Sequence, residues 1–139
     1  MAVVKNTRIR GKQLLLKIGA TDYWCDTTEA VLDSEEAKGG TVTFCDAAAG
    51  GGRQYFFKIE AIQSTDTASM WSYLWDHSGE RVPFVYAPWG NAAPSVAQPH
   101  FTGFVTLGPR PAIGGKAGDD EFTFETRWDV DGVPVKVTT

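Results

Sequence analysis

Four side chains of types that commonly bind zinc are scattered through the sequence: Cys25, Cys45, His77 and His100. Structural zinc sites draw on close ligand pairs, such as two cysteines separated by two residues, because a short loop can present both sulfurs to one metal. No such pair occurs here, so the pattern favours two free thiols, which we expect to be buried. A disulfide stays open as an alternative, because a hairpin folded near residues 33–40 would place Cys25 and Cys45 opposite each other.

Other groups that could carry chemistry are too far apart or incomplete. Glu121 and Glu125 are four residues apart on one predicted strand, roughly 13 Å, which is too far for a paired acid and base. The three glycines at 50–52 lack the Gly-Lys-Ser/Thr of a phosphate loop and precede a predicted strand instead of a helix. Residues 129–132 resemble part of a calcium loop but fit a turn better. We therefore expect no enzyme, no metal and no cofactor.

Size and composition indicate a single domain over residues 1–139. Aromatic residues make up 12% of the chain, and 15 glycines and 7 prolines supply many turns, which favours an all-β sandwich or barrel. The formal net charge of −4 is not that of a nucleic-acid-binding protein. No apolar run approaches the roughly 18 residues of a membrane span, and the first twelve residues lack the apolar segment of a secretory signal. We therefore expect a chain made in a cytoplasm that does not insert into a membrane.

Residues 121–131 alternate with almost no interruption, which predicts a long β-strand with two different faces. One face is apolar and should turn inward, whereas the other is polar, mostly acidic, and should face water. The inward row contains Phe122, Phe124, Trp128 and Val130.

The remaining pattern predicts seven or eight antiparallel strands and one helix, hence a mainly β fold in which a β-sandwich or barrel is flanked by one α-helix. The helix should begin after the capping residues 64–66 and end near His77, before a glycine. Residues 41–63 should form a long hairpin with a flexible tip. The other strands are expected at residues 13–18, 22–32 (with Tyr23, Cys25 and Val31 inward), 81–86 and 100–107.

The first 18 residues carry five positive charges and no acid, and residues 1–12 are expected to form an extended N-terminal arm. Two interpretations remain open. The charges either form a solvated face or reach an acidic surface on a neighbouring copy of the chain, since complementary charge orients association.

This order of elements, closing on Phe122-Thr-Phe-Glu-Thr-Arg-Trp-Asp-Val-Asp-Gly132, resembles the major tail tube proteins of long, non-contractile-tailed bacteriophages. The resemblance implies a β-sandwich or barrel with one helix that assembles into stacked hexameric rings in the virion tail. It also implies tape-measure, tail terminator and tail-tip proteins as partners. Phage DNA would pass through an acidic lumen without specific binding.

The resemblance also implies roles for particular residues. Glu121, Glu125 and Asp129 are the first candidates for the lumen wall, with Lys58 and Glu60, or Glu29 and Asp33, as rival lining positions. Candidates for ring stacking or the subunit interface are Arg8, Arg10, Lys12, Gly50, Gly51, Gly52, Arg53 and Trp89.

A second hypothesis is a β-sandwich binding module for cell-surface carbohydrate or a protein partner. In that case Trp24 and Trp89 would be the stacking platforms. Trp89 is expected on a loop, where a large apolar ring commonly anchors a protein partner.

Overall fold

The computed structural model describes residue 9 and residues 11–36, 43–45 and 53–139, and all structural statements below concern these residues. In chain order the elements are β1 (Leu15–Ile18), β2 (Thr21–Asp22), β3 (Thr27–Glu36), β4 (Arg53–Ile62), α1 (Met70–Asp76), β5 (Arg81–Ala87), β6 (His100–Thr106), β7 (Thr123–Val130) and β8 (Val135–Val137).

The eight strands belong to one antiparallel sheet with the order β2-β1-β5-β6-β7-β4-β3, and β8 pairs with β6. Strand β4 lies between β3 and β7: its residues 53–61 pair with β3 and its residues 56–62 pair with β7. Strands β3 and β2 lie at the two ends of the order. Over the residues that the structure describes, the fold is therefore mainly β with one complete short helix, which confirms the predicted class.

The sheet curls so that strands distant in its order face each other. The ring centroid of Phe57 on β4 lies 4.9 Å from that of Phe84 and 5.4 Å from that of Tyr86, although both partners are on β5. The hydroxyl of Tyr86 also donates to the carbonyl oxygen of Ala30 on β3, at 2.9 Å. One core is thus enclosed by a single curved sheet.

Alternation along the central strands supplies this core. Every second residue of β7, namely Phe124, Thr126, Trp128 and Val130, points inward, and the three apolar ones are 3% exposed or less. Strand β4 alternates in the same way: Phe57, Ile59 and Ala61 are fully buried and Tyr55 is half-buried. Strand β7 begins at Thr123, however, so Phe122 precedes it and is 41% exposed rather than inward.

Helix α1 is shorter than predicted and begins later. Ser69 is the N-cap residue, and its hydroxyl oxygen accepts a hydrogen bond from the amide of Ser72. The polar residues expected to cap the helix instead support that cap, since the carbonyl oxygens of Ser64 and Asp66 both lie within hydrogen-bonding distance of the Ser69 hydroxyl, whose one proton either can accept. The helix ends at His77 as expected, and it buries Met70, Trp71 and Leu74 in the core.

The predicted hairpin over residues 41–63 is wrong in its first strand. The partner of β4 is β3, with Leu32 opposite Phe57 and Ser34 opposite Tyr55. Residues 43–45 belong to no strand, and Phe44 is 97% exposed. Residues 41, 42 and 46–52, including the predicted flexible tip, lie outside the described residues. The physical reason is that β3 has a half-buried face of small and apolar side chains that packs inward while its acids face water.

The segment predicted as one strand over residues 22–32 divides in two. A turn at residues 24–26 separates β2 from β3. Tyr23 is buried as expected, but Cys25 is exposed in that turn and Val31 is 40% exposed. Val31 faces outward because Ala30 and Leu32 occupy the inward positions on either side of it.

Candidate functional site

The outward sides of β3, β4 and β7 form one continuous charged surface. Residues directly opposite each other in adjoining strands share a face, and residues two apart along a strand do as well. The register places six carboxylates and two cations together: Glu29, Asp33, Glu35, Lys58, Glu60, Glu125, Arg127 and Asp129. We call this set the acidic face.

Three glutamates form a row across the acidic face. Glu29 on β3 is opposite Glu60 on β4, which is in turn opposite Glu125 on β7. Side chains in such pairs are about 5 Å apart at Cβ, and like charges in these positions destabilise a sheet. The row therefore costs stability.

Arg127 is held flat against the acidic face. Its guanidinium carbon lies 4.1 Å from the ring centroid of Phe56. Its Nη2 donates to Oε1 of Glu35 and its Nε donates to Oδ1 of Asp129 at 3.2 Å. The hydrogen bond with Glu35 is the main cause of a raised pKa for Arg127, with a smaller contribution from Asp129. One flat side of the Arg127 guanidinium is therefore covered by the Phe56 ring, and two of its N–H donors are bonded to carboxylates.

A second arginine is held in the same way farther along the sheet. Arg81 on β5 is opposite Thr106 on β6, which is opposite Asp129 on β7, so Arg81 lies on the same side as the acidic face. Its guanidinium carbon lies 4.1 Å from the ring centroid of Phe104, and its Nε is 2.7 Å from Oδ2 of Asp131.

The predicted lumen residues are partly brought together. Glu125 and Asp129 lie on the acidic face, but Glu121 is in the exposed segment before β7 and does not belong to it. The rival positions Lys58 and Glu60, and Glu29 and Asp33, are on the same face as Glu125. The sequence treated these positions as competing candidates for the lumen wall, whereas the pairing of β3, β4 and β7 places them on one surface.

The predicted interface residues are only partly described. Arg8, Arg10, Gly50, Gly51 and Gly52 lie outside the described residues. Lys12 is exposed. Arg53 begins β4, and its Nη2 donates to the carbonyl and hydroxyl oxygens of Ser34, both at 3.1 Å. Trp89 is half-buried in the turn after β5.

Two cavities lie along β3 and are lined in part by its residues. The larger, about 600 Å³, is lined by residues that include Lys12, Leu14, Trp24, Cys25, Glu29 and Tyr86. The smaller, about 320 Å³, is lined by residues that include Leu32, Ser34, Tyr55, Phe101, Val133 and Pro134. Trp24 is 47% exposed at the larger cavity.

The cysteines and histidines do not form a common site. Cys25 and Cys45 are free and exposed, so the expectation of buried thiols was wrong. His77 pairs with Glu80 at 2.7 Å, whereas buried His100 contacts the carbonyl oxygen of Asn91 through Nε2 at 2.9 Å. Within the described ranges, no three side chains of the types that hold a metal are grouped.

Sequence reasoning missed the two arginine–phenylalanine contacts. Arg127 was visible as the single base among the acids of residues 119–131, but its partner Phe56 is 71 positions away. Only the register of β4 against β7 brings the two together.

The sequence matches no protein-family model and no curated protein. In the described part of the chain, no helix has the length and apolar character to cross a membrane.

Proposed function

We propose that this chain is a structural subunit of a phage tail tube, that it assembles into stacked hexameric rings, and that the acidic face lines the channel. The observation that supports this best is the continuous outward surface of three strands, with six carboxylates against two cations. In this role the chain has no catalytic task. Its partners would be further copies of itself and the tape-measure, tail terminator and tail-tip proteins of a virion tail.

The charge of the acidic face suits contact with DNA that must keep moving. Double-stranded DNA carries about one negative charge per 1.7 Å of axis, so a wall of free lysines and arginines would bind many phosphates at once. A carboxylate wall repels the duplex along its whole length. DNA can then slide through without a strong binding site.

The sheet has ends through which copies could join. Strands β3 and β2 end the strand order, and an unpaired strand edge tends to pair with another chain. If β3 of one copy continued the sheet of its neighbour, the acidic faces would form one surface around a bore. This arrangement uses the edge in assembly and so removes it from uncontrolled aggregation.

Electron microscopy of the purified chain, followed by ejection assays on variant phage, tests the proposal. We expect rings or filaments with a central bore. Replacing Glu60 and Glu125 by lysine should leave tubes intact and slow DNA ejection, because two phosphate-binding cations then face the duplex. Lysine at Asp119 and Asp120, an equal charge change in the loop before β7, should leave ejection unchanged. Tubes lost only in the first variant would place the glutamates at a subunit interface instead.

The larger cavity supports a second candidate, a module that binds carbohydrate. Trp24 is 47% exposed beside this cavity, and Tyr86 also lines it, so a sugar ring could stack there. A stable monomer with glycan affinity that falls on replacing Trp24 by alanine would favour this candidate. Filaments without such affinity would exclude it.

A further inference from the structure

The two arginines on the outward side of the sheet share one arrangement: each lies over a phenylalanine ring and is bonded to a carboxylate. We propose that Glu35 and Asp129 mask Arg127, and Asp131 masks Arg81, so that these cations do not bind nucleic-acid phosphates. Removing a mask would turn the same surface into one that binds DNA. The inference rests on the proposed function, which brings DNA to this face.

The masking of Arg127 follows from how a guanidinium binds phosphate. The group presents its N–H donors in its own plane and commonly uses two of them side by side on a phosphate or carboxylate. In Arg127, Nη2 is bonded to Glu35 and Nε to Asp129, while Phe56 covers one flat side. The other N–H donors of Arg127 lie beside these two carboxylates, so a phosphate that approached them would be repelled, and a phosphate could reach Nε only by displacing Asp129.

Arg81 is masked less completely. Its Nε is bonded to Asp131 at 2.7 Å, and Phe104 lies under the group at 4.1 Å, but only one carboxylate contacts it among the described residues. The side chain of Arg81 is 55% exposed, against 45% for Arg127. We therefore expect the loss of Asp131 to have a smaller effect than the loss of both partners of Arg127.

The acidic character of the face alone would predict something different. If only net charge mattered, any two carboxylates of this surface would be equivalent. If masking matters, the carboxylates bonded to Arg127 count for more than Glu29 and Glu125, which make no ion pair within the described part of the chain. The acidic face thus supplies its own matched control.

The experiment compares two double variants of the full chain. The first pair of substitutions is Glu35→Gln and Asp129→Asn, and the second pair is Glu29→Gln and Glu125→Gln. Both pairs raise the formal net charge by two from −4. Binding to a fluorescent 20-base-pair duplex is measured by anisotropy in one buffer. The first pair should bind about tenfold more tightly than the second, because one more charge-assisted contact is worth roughly that factor. Equal affinities, or no binding by either, would refute the masking.

A third substitution identifies the group responsible. Added to the first pair, Arg127→Gln should remove the gain, whereas Lys116→Gln, an equal charge change in the loop before β7, should keep it. If both additions act alike, Arg127 is not the binding group and the inference fails.

Circular dichroism melts of each variant separate masking from misfolding. If the variant carrying Glu35→Gln and Asp129→Asn fails to fold, the test moves to Arg81. The duplex affinity of Asp131→Asn is then compared with that of Asp119→Asn, and Asp131→Asn should bind more tightly. Microscopy of the same samples keeps the two proposals apart. If tubes form but the two double variants bind the duplex equally, only the masking proposal is contradicted. If the two double variants differ in affinity but no tubes form, only the proposed tail-tube function is contradicted.

Discussion

At the scale of single residues, the core centres on Phe57. This side chain is fully buried and its ring contacts three other aromatic rings, those of Phe84, Tyr86 and Trp128, at centroid distances of 4.9, 5.4 and 6.1 Å. Its contacts join β4 to β5 and β7. Strand β7 is a neighbour of β4 in the sheet, whereas β5 is not, so the contacts with Phe84 and Tyr86 hold together distant parts of the sheet.

Replacing Phe57 by alanine should lower the free energy of unfolding by about 3–5 kcal/mol, because it removes buried apolar surface and leaves a cavity. Urea denaturation followed by tryptophan fluorescence measures the loss. The matched control is Phe44→Ala, since that side chain is 97% exposed, and its effect should stay within about 0.5 kcal/mol. A similar loss in both variants would contradict the central role of Phe57.

Inward residues were predictable wherever a strand alternates strongly. Phe124, Trp128 and Val130 on β7 were assigned correctly, because large apolar side chains occupy every second position. Val31 and Phe122 were misassigned for different reasons. Val31 is an apolar residue on the outward side of β3, among acidic residues. Phe122 precedes Thr123, the first residue of β7, so it is not part of the sheet and its place in the alternation does not decide which way it points.

At the scale of elements, the helix depends on a residue far away in sequence. A seven-residue helix is too short to be stable alone in water. Besides its Ser69 cap, Oδ2 of Asp26 accepts a hydrogen bond from the amide of Met70 at 3.0 Å. The turn between β2 and β3 therefore fixes where α1 begins.

Asp26→Ala should lower the free energy of unfolding by about 1 kcal/mol, the usual cost of losing a side chain that accepts from the first amides of a helix. Asp119→Ala, an equal charge change in an exposed loop, should have almost no effect. Thermal unfolding of both variants followed by far-ultraviolet circular dichroism provides the comparison. Equal melting temperatures would show that the Ser69 cap suffices.

The partner of β4 could not be predicted from local pattern. Residues 41–46 alternate well and adjoin β4 in sequence, whereas β3 is rich in acids and has few large apolar residues. Strand β3 forms because β4 pairs with it over nine residue pairs and because Leu32 and Ala30 pack on the core. Such tertiary support overrides intrinsic strand preference. The acidic face depends on this same pairing.

At the scale of the whole molecule, closure of the curled sheet relies on Tyr86. Its hydroxyl bonds to Ala30 across the core, and burial raises its pKa above the ordinary tyrosine value. Burial likewise raises the pKa values of Tyr23 and Tyr73. All three side chains therefore hold their protons to a higher pH in the folded chain than in the unfolded chain.

Stability should therefore fall as the pH rises above about 10, because the unfolded chain loses tyrosine protons there that the folded chain still holds. Below that pH the contribution is complete. Tyr86→Phe should weaken this dependence and, at neutral pH, cost about 1 kcal/mol for the lost hydrogen bond. Urea midpoints between pH 8 and 11 for both proteins measure the two effects. An unchanged pH slope in the variant would show that Tyr86 titrates equally in both states.

The fold class followed from composition and period, but the strand order did not. The helix and most strands were predictable, because turn residues and alternation mark them locally. Strand β8 was not predicted, and residues 43–45 do not form the first strand of the hairpin expected over residues 41–63. The order β2-β1-β5-β6-β7-β4-β3 depends on pairings between distant segments, for which a single sequence carries no direct signal.

The row of Glu29, Glu60 and Glu125 makes the stability of the sheet depend on the salt concentration. Dissolved salt screens repulsion between exposed charges, so counterions stabilise the sheet by relieving the row. The same screening weakens the exposed ion pairs of Arg81 and Arg127, so added salt shifts stability from these pairs to the glutamate row.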